Sequence, residues 1–210
     1  MKTLRLSSSD LDQLVWFDRI SSMTVEDLVR RLKHLEPSNE KMIIGTGWHK
    51  VLENPDRDVI EEVTVDGYTY VVDFDAKFAL PHIKETKATK EYIVGDVLVT
   101  LVGKLDGITG NRIRDYKVTF KAPNPESYNE SYQWRAYLDI FGCDALDYYV
   151  FQASNRTGSK KVVLKNFQII TQYGYFGMKK ELVGRIGELV DFIKTHAPEM
   201  IKESDDDYSR

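Results

Sequence analysis

Hydrophobic and polar positions divide the chain into a helical beginning, a strand-rich middle and a helical end. Apolar residues recur at helical spacing over 10–20, 25–32 and 39–53, which predicts three helices in the first third of the chain. Thr24 followed by Asp27 is typical of a capping box at the start of the second helix. The pattern therefore indicates a helical N-terminal part before the first strand.

β-branched and aromatic residues dominate the middle of the chain. Segments 59–65 and 68–74 are predicted strands, and Asp66-Gly67 between them is a strong two-residue hairpin signal. Segment 77–90 has no clear period and is predicted to be a loop. The remaining pattern predicts strands over 94–106 and 112–120, one helix from Asn124-Pro125 to Gly142, strands over 146–152 and 162–171, and an amphipathic helix carrying Leu182 to Ile193.

This order of elements predicts a single mixed α/β domain over residues 1–198. Its parts are a helical N-terminal part (1–38), a core (39–173) and a C-terminal helix (177–197). Residues 199–210 carry a net charge of −3 out of −4 for the whole chain, and an acidic tail of this kind is predicted to be disordered.

Composition narrows the classes of protein. No apolar run approaches the ~20 residues of a membrane helix, and the N-terminus lacks a secretory signal, so no membrane contact and a cytoplasmic location are expected. Cys143 is the single cysteine, which excludes an internal disulfide, a cysteine-rich zinc site and an iron–sulfur cluster. We interpret Cys143 as a packing residue.

Segment 99–117 holds the most informative chemistry. Gly110-Asn111 is a two-residue turn in which Gly supplies the positive φ of a type II′ hairpin. With that turn, Asp106 and Asp115 fall opposite each other on neighbouring strands, and Lys117 projects from the same face as Asp115. A slip of one residue in the register would separate the two carboxylates.

Two opposed carboxylates repel each other unless a cation lies between them. Oxygen ligands of this kind suit Mg²⁺ or Mn²⁺, as one ion or two. Such an ion activates water and neutralises charge on a phosphate, and a neighbouring lysine can orient or deprotonate that water. The hairpin alone is also compatible with an ordinary charged surface turn.

Further motifs lie before, within and after this hairpin in the chain. Gly45, His49 and Glu53 follow a G-x-x-x-H-x-x-x-E pattern, and Gly103 to Asp106 reads G-x-x-D. Asp115-Tyr-Lys117 and the Gln133-to-Tyr137 helix (Q-x-x-x-Y) come next in the chain. Four motifs in this order resemble the RecB-like branch of the PD-(D/E)XK nuclease superfamily, over roughly residues 40 to 152.

That resemblance implies a restriction-endonuclease-like core, with a central mixed β-sheet flanked by helices. It implies that Asp106, Asp115 and His49 bind the metal and that Lys117 acts on the water. It also implies that Gln133 and Tyr137 contact the substrate strand or the lysine, whereas Glu53 has no assigned role.

Basic residues mark candidate contacts with phosphate. Arg135, beside Gln133 on the same helix, is equally compatible with a phosphate contact and with solvent. Lys121 belongs to a basic cluster with Lys104, Arg112 and Arg114, which a folded surface can gather into a groove. Net charge by itself favours a solvated mixed surface.

The sequence thus predicts a metal-dependent DNA exonuclease acting on DNA ends, including single-stranded ends, in recombination, repair or phage DNA processing, within a bacterial or phage-infected cell. Two alternatives remain open: an endonuclease of the same fold, and an inactive DNA-binding or assembly protein. A helicase-type phosphate loop is absent from the sequence, so ATP-driven unwinding is not expected. Protein partners and oligomeric state are not specified by the sequence.

Overall fold

The computed structural model describes residues 1–53, 61–74, 83–156 and 158–203. The helices are α1 (Asp10–Arg19), α2 (Val25–Leu32), α3 (Glu40–Glu53), α4 (Pro125–Glu130), α5 (Gln133–Phe141) and α6 (Met178–His196). The strands are β1 (Lys2–Ser7), β2 (Glu62–Val65), β3 (Tyr68–Val72), β4 (Ile83–Val94), β5 (Val97–Thr109), β6 (Arg112–Thr119), β7 (Ala145–Asn155), β8 (Lys161–Tyr173) and β9 (Lys202–Glu203).

All the described strands form one mixed sheet. Its order is β2-β3-β8-β7-β6-β5-β1-β9, with β4 paired to β5 outside this path. The β1–β5, β3–β8 and β6–β7 pairs are parallel, and the others are antiparallel. The predicted α/β class, with a central mixed sheet flanked by helices, is confirmed.

Helices pack on both faces of the sheet. Along β7, Tyr148 and Val150 pack with α5, whereas Tyr149 and Phe151 pack with α3 on the opposite face. Helices α1, α2 and α6 cover β1 and β5 with a separate apolar cluster. This double coverage explains why β7 reads as a nearly continuous apolar run.

The predicted tight turns are present. Asp66 and Gly67 both have positive φ, at 50° and 76°, and they join β2 to β3 with Val65 opposite Tyr68. Gly110 has a φ of 57°, and Thr109 lies opposite Arg112, as the two-residue turn requires. The capping box of α2 is also confirmed, since Thr24 and Asp27 exchange hydrogen bonds. Positions 59–60 of the first predicted strand lie outside the described residues.

The two ends of the chain differ from the prediction. Residues 2–7 form a strand rather than part of a helical segment, because β1 pairs with β5 and buries Leu4 and Leu6. Residues 199–203, predicted to belong to a disordered tail, contain a 3₁₀ turn and the strand β9 beside Lys2 and Thr3. The predicted tail residues 204–210 lie outside the described residues.

The predicted loop over 77–90 is wrong for its second half, which begins β4. The strand was not predicted because its inward side carries no large apolar residue before Tyr92: Thr86, Ala88 and Lys90 are half-buried there. Lys90 Nζ is held there by the backbone oxygen of Asp139 at 2.8 Å and by its carboxylate at 2.9 Å. Residues 77–82 lie outside the described residues.

The predicted helix from 124 to 142 is two helices. Asn124 caps α4 as expected, but Ser131 has an extended backbone (φ −61°, ψ 136°), and α5 begins after it. Asp12 of α1 accepts a hydrogen bond from the Tyr132 amide at 2.5 Å, which occupies the backbone at the break. A contact from a distant helix therefore sets the start of α5.

Candidate active site

A gap between the strands that pair with β5 creates the site. Strand β4 occupies one edge of β5 along its length, so β1 and β6 share the other edge. Along that edge β1 pairs up to Val102, and β6 pairs only from Gly107 onward. Residues 103–106 of β5 therefore face an opening between the end of β1 and the diverging strand β6.

The hairpin register holds as far as the two strands stay together. Gly107 lies opposite Arg114, but the ladder ends there, one pair before Asp106 and Asp115. Asp106 Oδ2 instead accepts a hydrogen bond from the Tyr116 amide at 2.8 Å. Asp106 and Asp115 therefore do not form the predicted ladder pair. Instead, the Asp106 side chain bridges the point where β5 and β6 separate, which we call the fork.

Asp115 and Lys117 lie on β6 at this fork. Lys117 Nζ is 2.7 Å from Asp115 Oδ2, and the Asp115 side chain is 3% exposed. Asp115 Oδ2 is buried and makes no well-aligned hydrogen bond with any described residue, although the ion pair is close. The same face of β6 carries Ile113, which packs against α5.

Helix α5 holds Lys117 through a chain of hydrogen bonds. Lys117 Nζ donates to Gln133 Oε1 at 3.1 Å, and Gln133 Nε2 donates to the Tyr137 hydroxyl at 3.2 Å. The Tyr137 hydroxyl donates to the backbone oxygen of Lys104 at 2.6 Å. Gln133 and Tyr137, four residues apart on one helix face, thus connect β6 to the open edge of β5.

Gly103 permits this close approach of helix to strand. A Cβ atom at this position would lie 2.9 Å from a ring carbon of Phe141 and 3.3 Å from one of Tyr137. Any larger residue would therefore push α5 away from β5. The close packing of α5 on β5 thus explains why the G-x-x-D pattern has a glycine at position 103.

His49 reaches the fork from α3. Its Nδ1 lies 3.3 Å from Asp106 Oδ1. Burial lowers the pKa of His49, but the hydrogen bond and the charge of Asp106 outweigh it, so that pKa lies above its usual value. Glu53, the last residue of α3, has its pKa raised by burial and by the charge of Glu85.

The side chains of His49, Asp106, Asp115 and Lys117 shift one another's pKa values through their charges. Burial raises the pKa of Asp106, but His49, the Tyr116 amide and Lys117 together hold it below its usual value. Burial raises the pKa of Asp115, and the charge of Asp106 adds to this. Burial lowers the pKa of Lys117, but the charge of Asp115 outweighs it and the result is a raised pKa. The groups thus lie within electrostatic reach of one another.

The structure does not bring Arg135 or Lys121 to this cluster. Arg135 Nη1 donates to the backbone oxygens of Asn129 at 2.8 Å and Ser131 at 2.6 Å, and its Nε donates to the Tyr175 hydroxyl at 3.0 Å. Lys121 is exposed beyond the end of β6, where its backbone bonds with Thr119.

Asp12 is a residue that sequence reasoning missed. It lies in α1, yet its Oδ2 accepts a hydrogen bond from Ser131 Oγ at 2.6 Å, and Ser131 Oγ accepts one from the Gln133 amide at 3.1 Å. The charge of Lys117 acts on Asp12 as well. Nothing in the local pattern of α1 points to this role, because the contact joins residues far apart in the chain.

The fit of a divalent ion depends on the donor chemistry of this cluster. Two carboxylates and an imidazole suit Mg²⁺ or Mn²⁺, and the buried Asp115 Oδ2 lacks an aligned donor. Across the described ranges, however, no three His, Cys, Asp or Glu side chains come together closely enough to form a metal cage. The oxygens are directed instead to Lys117, His49 and the Tyr116 amide.

Comparisons with known proteins found a likeness in fold. No family model matches the chain, and no curated protein matches it. The solved structure of a protein named SSO0001 has a TM-score of 0.50 at 12% identity, over 91% of this chain and 76% of that one. At this identity the likeness concerns the fold alone.

Two solved structures of an alkaline exonuclease, LHK-Exo from Laribacter hongkongensis, also align over 93% of this chain and 89% of theirs. Their TM-scores are 0.45 at 9% identity and, for the complex with dAMP, 0.44 at 11% identity. The likeness to SSO0001 shows a fold that this chain shares with a known structure.

Within the described residues, no helix has the length and apolar character that crossing a membrane requires.

Proposed function

We propose that the chain is a divalent-metal-dependent nuclease that hydrolyses phosphodiester bonds in DNA. The observation that supports this most directly is the fork between β5 and β6, where Asp106, Asp115 and Lys117 interact. The order of motifs that resembles the RecB-like nucleases includes the same three residues.

Lys117 is the residue proposed to act on the reacting groups. As an ammonium paired with Asp115, it donates hydrogen bonds to a phosphate oxygen or to the attacking water. Gln133 and Tyr137 fix its direction, since the hydrogen-bond chain ends on the backbone of β5. A fixed donor is more effective than a mobile one because no reorganisation is needed during the reaction.

In this proposal Asp106, Asp115 and His49 would hold the metal ion after turning from their present partners toward it, since as placed they do not form a metal cage. A divalent ion bound there would supply Lewis-acid stabilisation of the phosphate and a more acidic water. The Asp106–Tyr116 hydrogen bond keeps one carboxylate oxygen in place, which leaves the other for His49 or a cation. The chemistry of this set favours Mg²⁺ or Mn²⁺ over softer metals.

Exonuclease action on DNA ends is the form we favour, leaving a 5′-phosphate and a 3′-hydroxyl, as the resemblance implies. The pathway would be recombination, repair or phage DNA processing. The test is incubation of the purified chain with end-labelled linear DNA and with closed circular DNA, each with Mn²⁺ or with EDTA.

Release of nucleotides from linear DNA in Mn²⁺ alone would support the exonuclease. Cutting of the closed circle would assign an endonuclease, and no cutting of either DNA with Mn²⁺ or Mg²⁺ would overturn the proposal. Asp115→Asn should abolish cleavage, whereas Asp191→Asn, an exposed aspartate of α6, should leave it unchanged. Equal activity of wild type and Asp115→Asn would remove Asp115 from the mechanism.

Titration calorimetry tests the ligand role separately. Asp106→Asn should weaken Mn²⁺ binding, and an unchanged affinity would contradict a ligand role for Asp106. Lys117→Ala should lower kcat more than it weakens DNA binding, because the proposal assigns Lys117 to the reacting groups. A defect confined to binding would reassign Lys117 to a phosphate contact.

A further inference from the structure

An exposed aromatic turn joins β8 to α6. Tyr173 ends β8 with 63% of its surface exposed, and Phe176 three residues later is fully exposed. Large aromatic side chains are usually at least half buried, so two such rings close together in the chain mark a surface that can be covered by a partner.

The backbone of this turn is held in place. The Tyr175 hydroxyl accepts a hydrogen bond from Arg135 Nε at 3.0 Å and donates one to Glu181. The Gly174 amide donates to the backbone oxygen of Asp144 at 2.9 Å. Phe176 is therefore presented outward by a turn whose preceding residues are fixed to the rest of the fold.

Basic side chains accompany these rings, one in space and two in the chain. Lys179 and Lys180 are exposed at the start of α6, and the Arg112 guanidinium lies 5.8 Å from the centre of the Tyr173 ring. The neighbouring acids each have a hydrogen-bond partner, since Asp144 binds Asn111, Asp147 binds Arg112 and Glu181 binds Tyr175. The two lysines have no such acidic partner among the contacts that the described residues make.

Aromatic rings flanked by basic side chains are the chemistry that binds single-stranded nucleic acid. Bases stack on the rings, and lysines neutralise phosphates. The core of a protein–protein interface is also rich in aromatic residues but depleted in lysine, so the two lysines argue against a second protein as the occupant.

We propose that Tyr173, Phe176, Lys179 and Lys180 form an aromatic–basic patch that binds a single strand of nucleic acid. This inference rests on the proposed function and adds a strand-binding surface to it. The patch connects to the site through α5: Arg135 holds Tyr175, and Gln133 on the same first turn holds Lys117. Arg135 then serves the substrate by positioning the turn rather than by contacting phosphate.

The test is fluorescence anisotropy with a fluorescein-labelled deoxythymidine oligonucleotide in EDTA, so that binding is measured without cleavage. Phe176→Ala should weaken binding about tenfold, as loss of one stacked base does. Ile93→Ala is the matched control, because Ile93 is a 72% exposed apolar residue on β4. Its affinity should equal that of wild type.

The lysines are tested through salt dependence. Replacing Lys179 and Lys180 together by Gln should reduce the slope of log affinity against log salt by about 1.4, the value for two phosphate contacts on a single strand. Thermal melting of each variant checks the fold, and no loss is expected because all these side chains are exposed.

The outcomes separate this inference from the proposed function. Equal affinity of wild type and Phe176→Ala, or no binding by wild type at low salt, would overturn the patch even if cleavage occurs. Strand binding that depends on Phe176 without any cleavage would keep the patch and overturn the nuclease. If Phe176→Ala changes only self-association, seen by sedimentation, the surface is an interface between copies and the inference is wrong.

Discussion

Asp106 Oδ2 accepts a hydrogen bond from the Tyr116 amide at 2.8 Å, across the point where β5 and β6 separate. The carboxylate takes the place that a backbone carbonyl would have in a continuing ladder. Asp106 therefore has a structural task in addition to its proposed chemical one, and the two tasks can be separated by substitution.

Asp106→Ala and Asp106→Asn should differ in stability. Alanine leaves the Tyr116 amide without its acceptor, which should lower the free energy of unfolding by about 1–3 kcal/mol. Asparagine keeps an acceptor oxygen and should lose less. Urea denaturation measures both, and equal losses would show that the hydrogen bond at the fork does not support the fold.

Gln133→Ala should impair turnover through Lys117. The substitution removes both the acceptor for Lys117 Nζ and the donor to Tyr137, so the lysine loses its fixed direction. We expect a kcat lower by about 10–100-fold with little change in KM, as for other groups that orient a reacting residue. A change confined to KM would indicate that Gln133 contacts the substrate instead.

Asp12 should contribute a pH dependence of stability. Burial raises its pKa above 3.8, although hydrogen bonds from Ser131 and Tyr132 oppose this. The folded state then binds more protons than the unfolded state between 3.8 and the raised value, so stability falls as pH rises through that window. Asp12→Asn should flatten the fall, and thermal melting against pH measures it; an unchanged profile would assign the dependence elsewhere.

Asp12→Ala tests the connection between α1 and α5. It leaves the Tyr132 amide and Ser131 Oγ without their acceptor, which should cost about 1–3 kcal/mol of stability. Asp191→Ala, an exposed acid of α6, is the comparison. Similar losses for the two variants would mean that the contact between the helices adds nothing particular.

Gly103→Ala should be destabilising by about 1–3 kcal/mol, because the added methyl group meets Phe141 and Tyr137 across the α5–β5 contact. Gly184→Ala on α6 has no atom within 4 Å of its new Cβ and should instead stabilise by about 0.5–1 kcal/mol. Denaturant unfolding of the pair measures the difference. Stabilisation by both substitutions would contradict tight packing at Gly103.

Local signals in the sequence specified several elements correctly. Asp66-Gly67 and Gly110-Asn111 set two hairpins because positive φ at those positions favours few residues. The capping box of α2 and the 14-residue helix α3 also follow from short-range pattern. The residues of the proposed site, Asp106, Asp115 and Lys117, could be selected from the sequence because the turn of one hairpin was predictable.

Tertiary contacts decided what the pattern did not contain. The inward position of Lys90 in β4 is polar and binds Asp139 of α5, so a hydrophobic alternation begins only at Tyr92. The break before α5 depends on Asp12, and the fork that separates Asp106 from a regular pairing depends on β1 taking the same edge of β5. Side-chain chemistry and turn geometry are local properties of a sequence, whereas strand partners and helix breaks are fixed by residues far apart in the chain, and these determine where the chemistry meets.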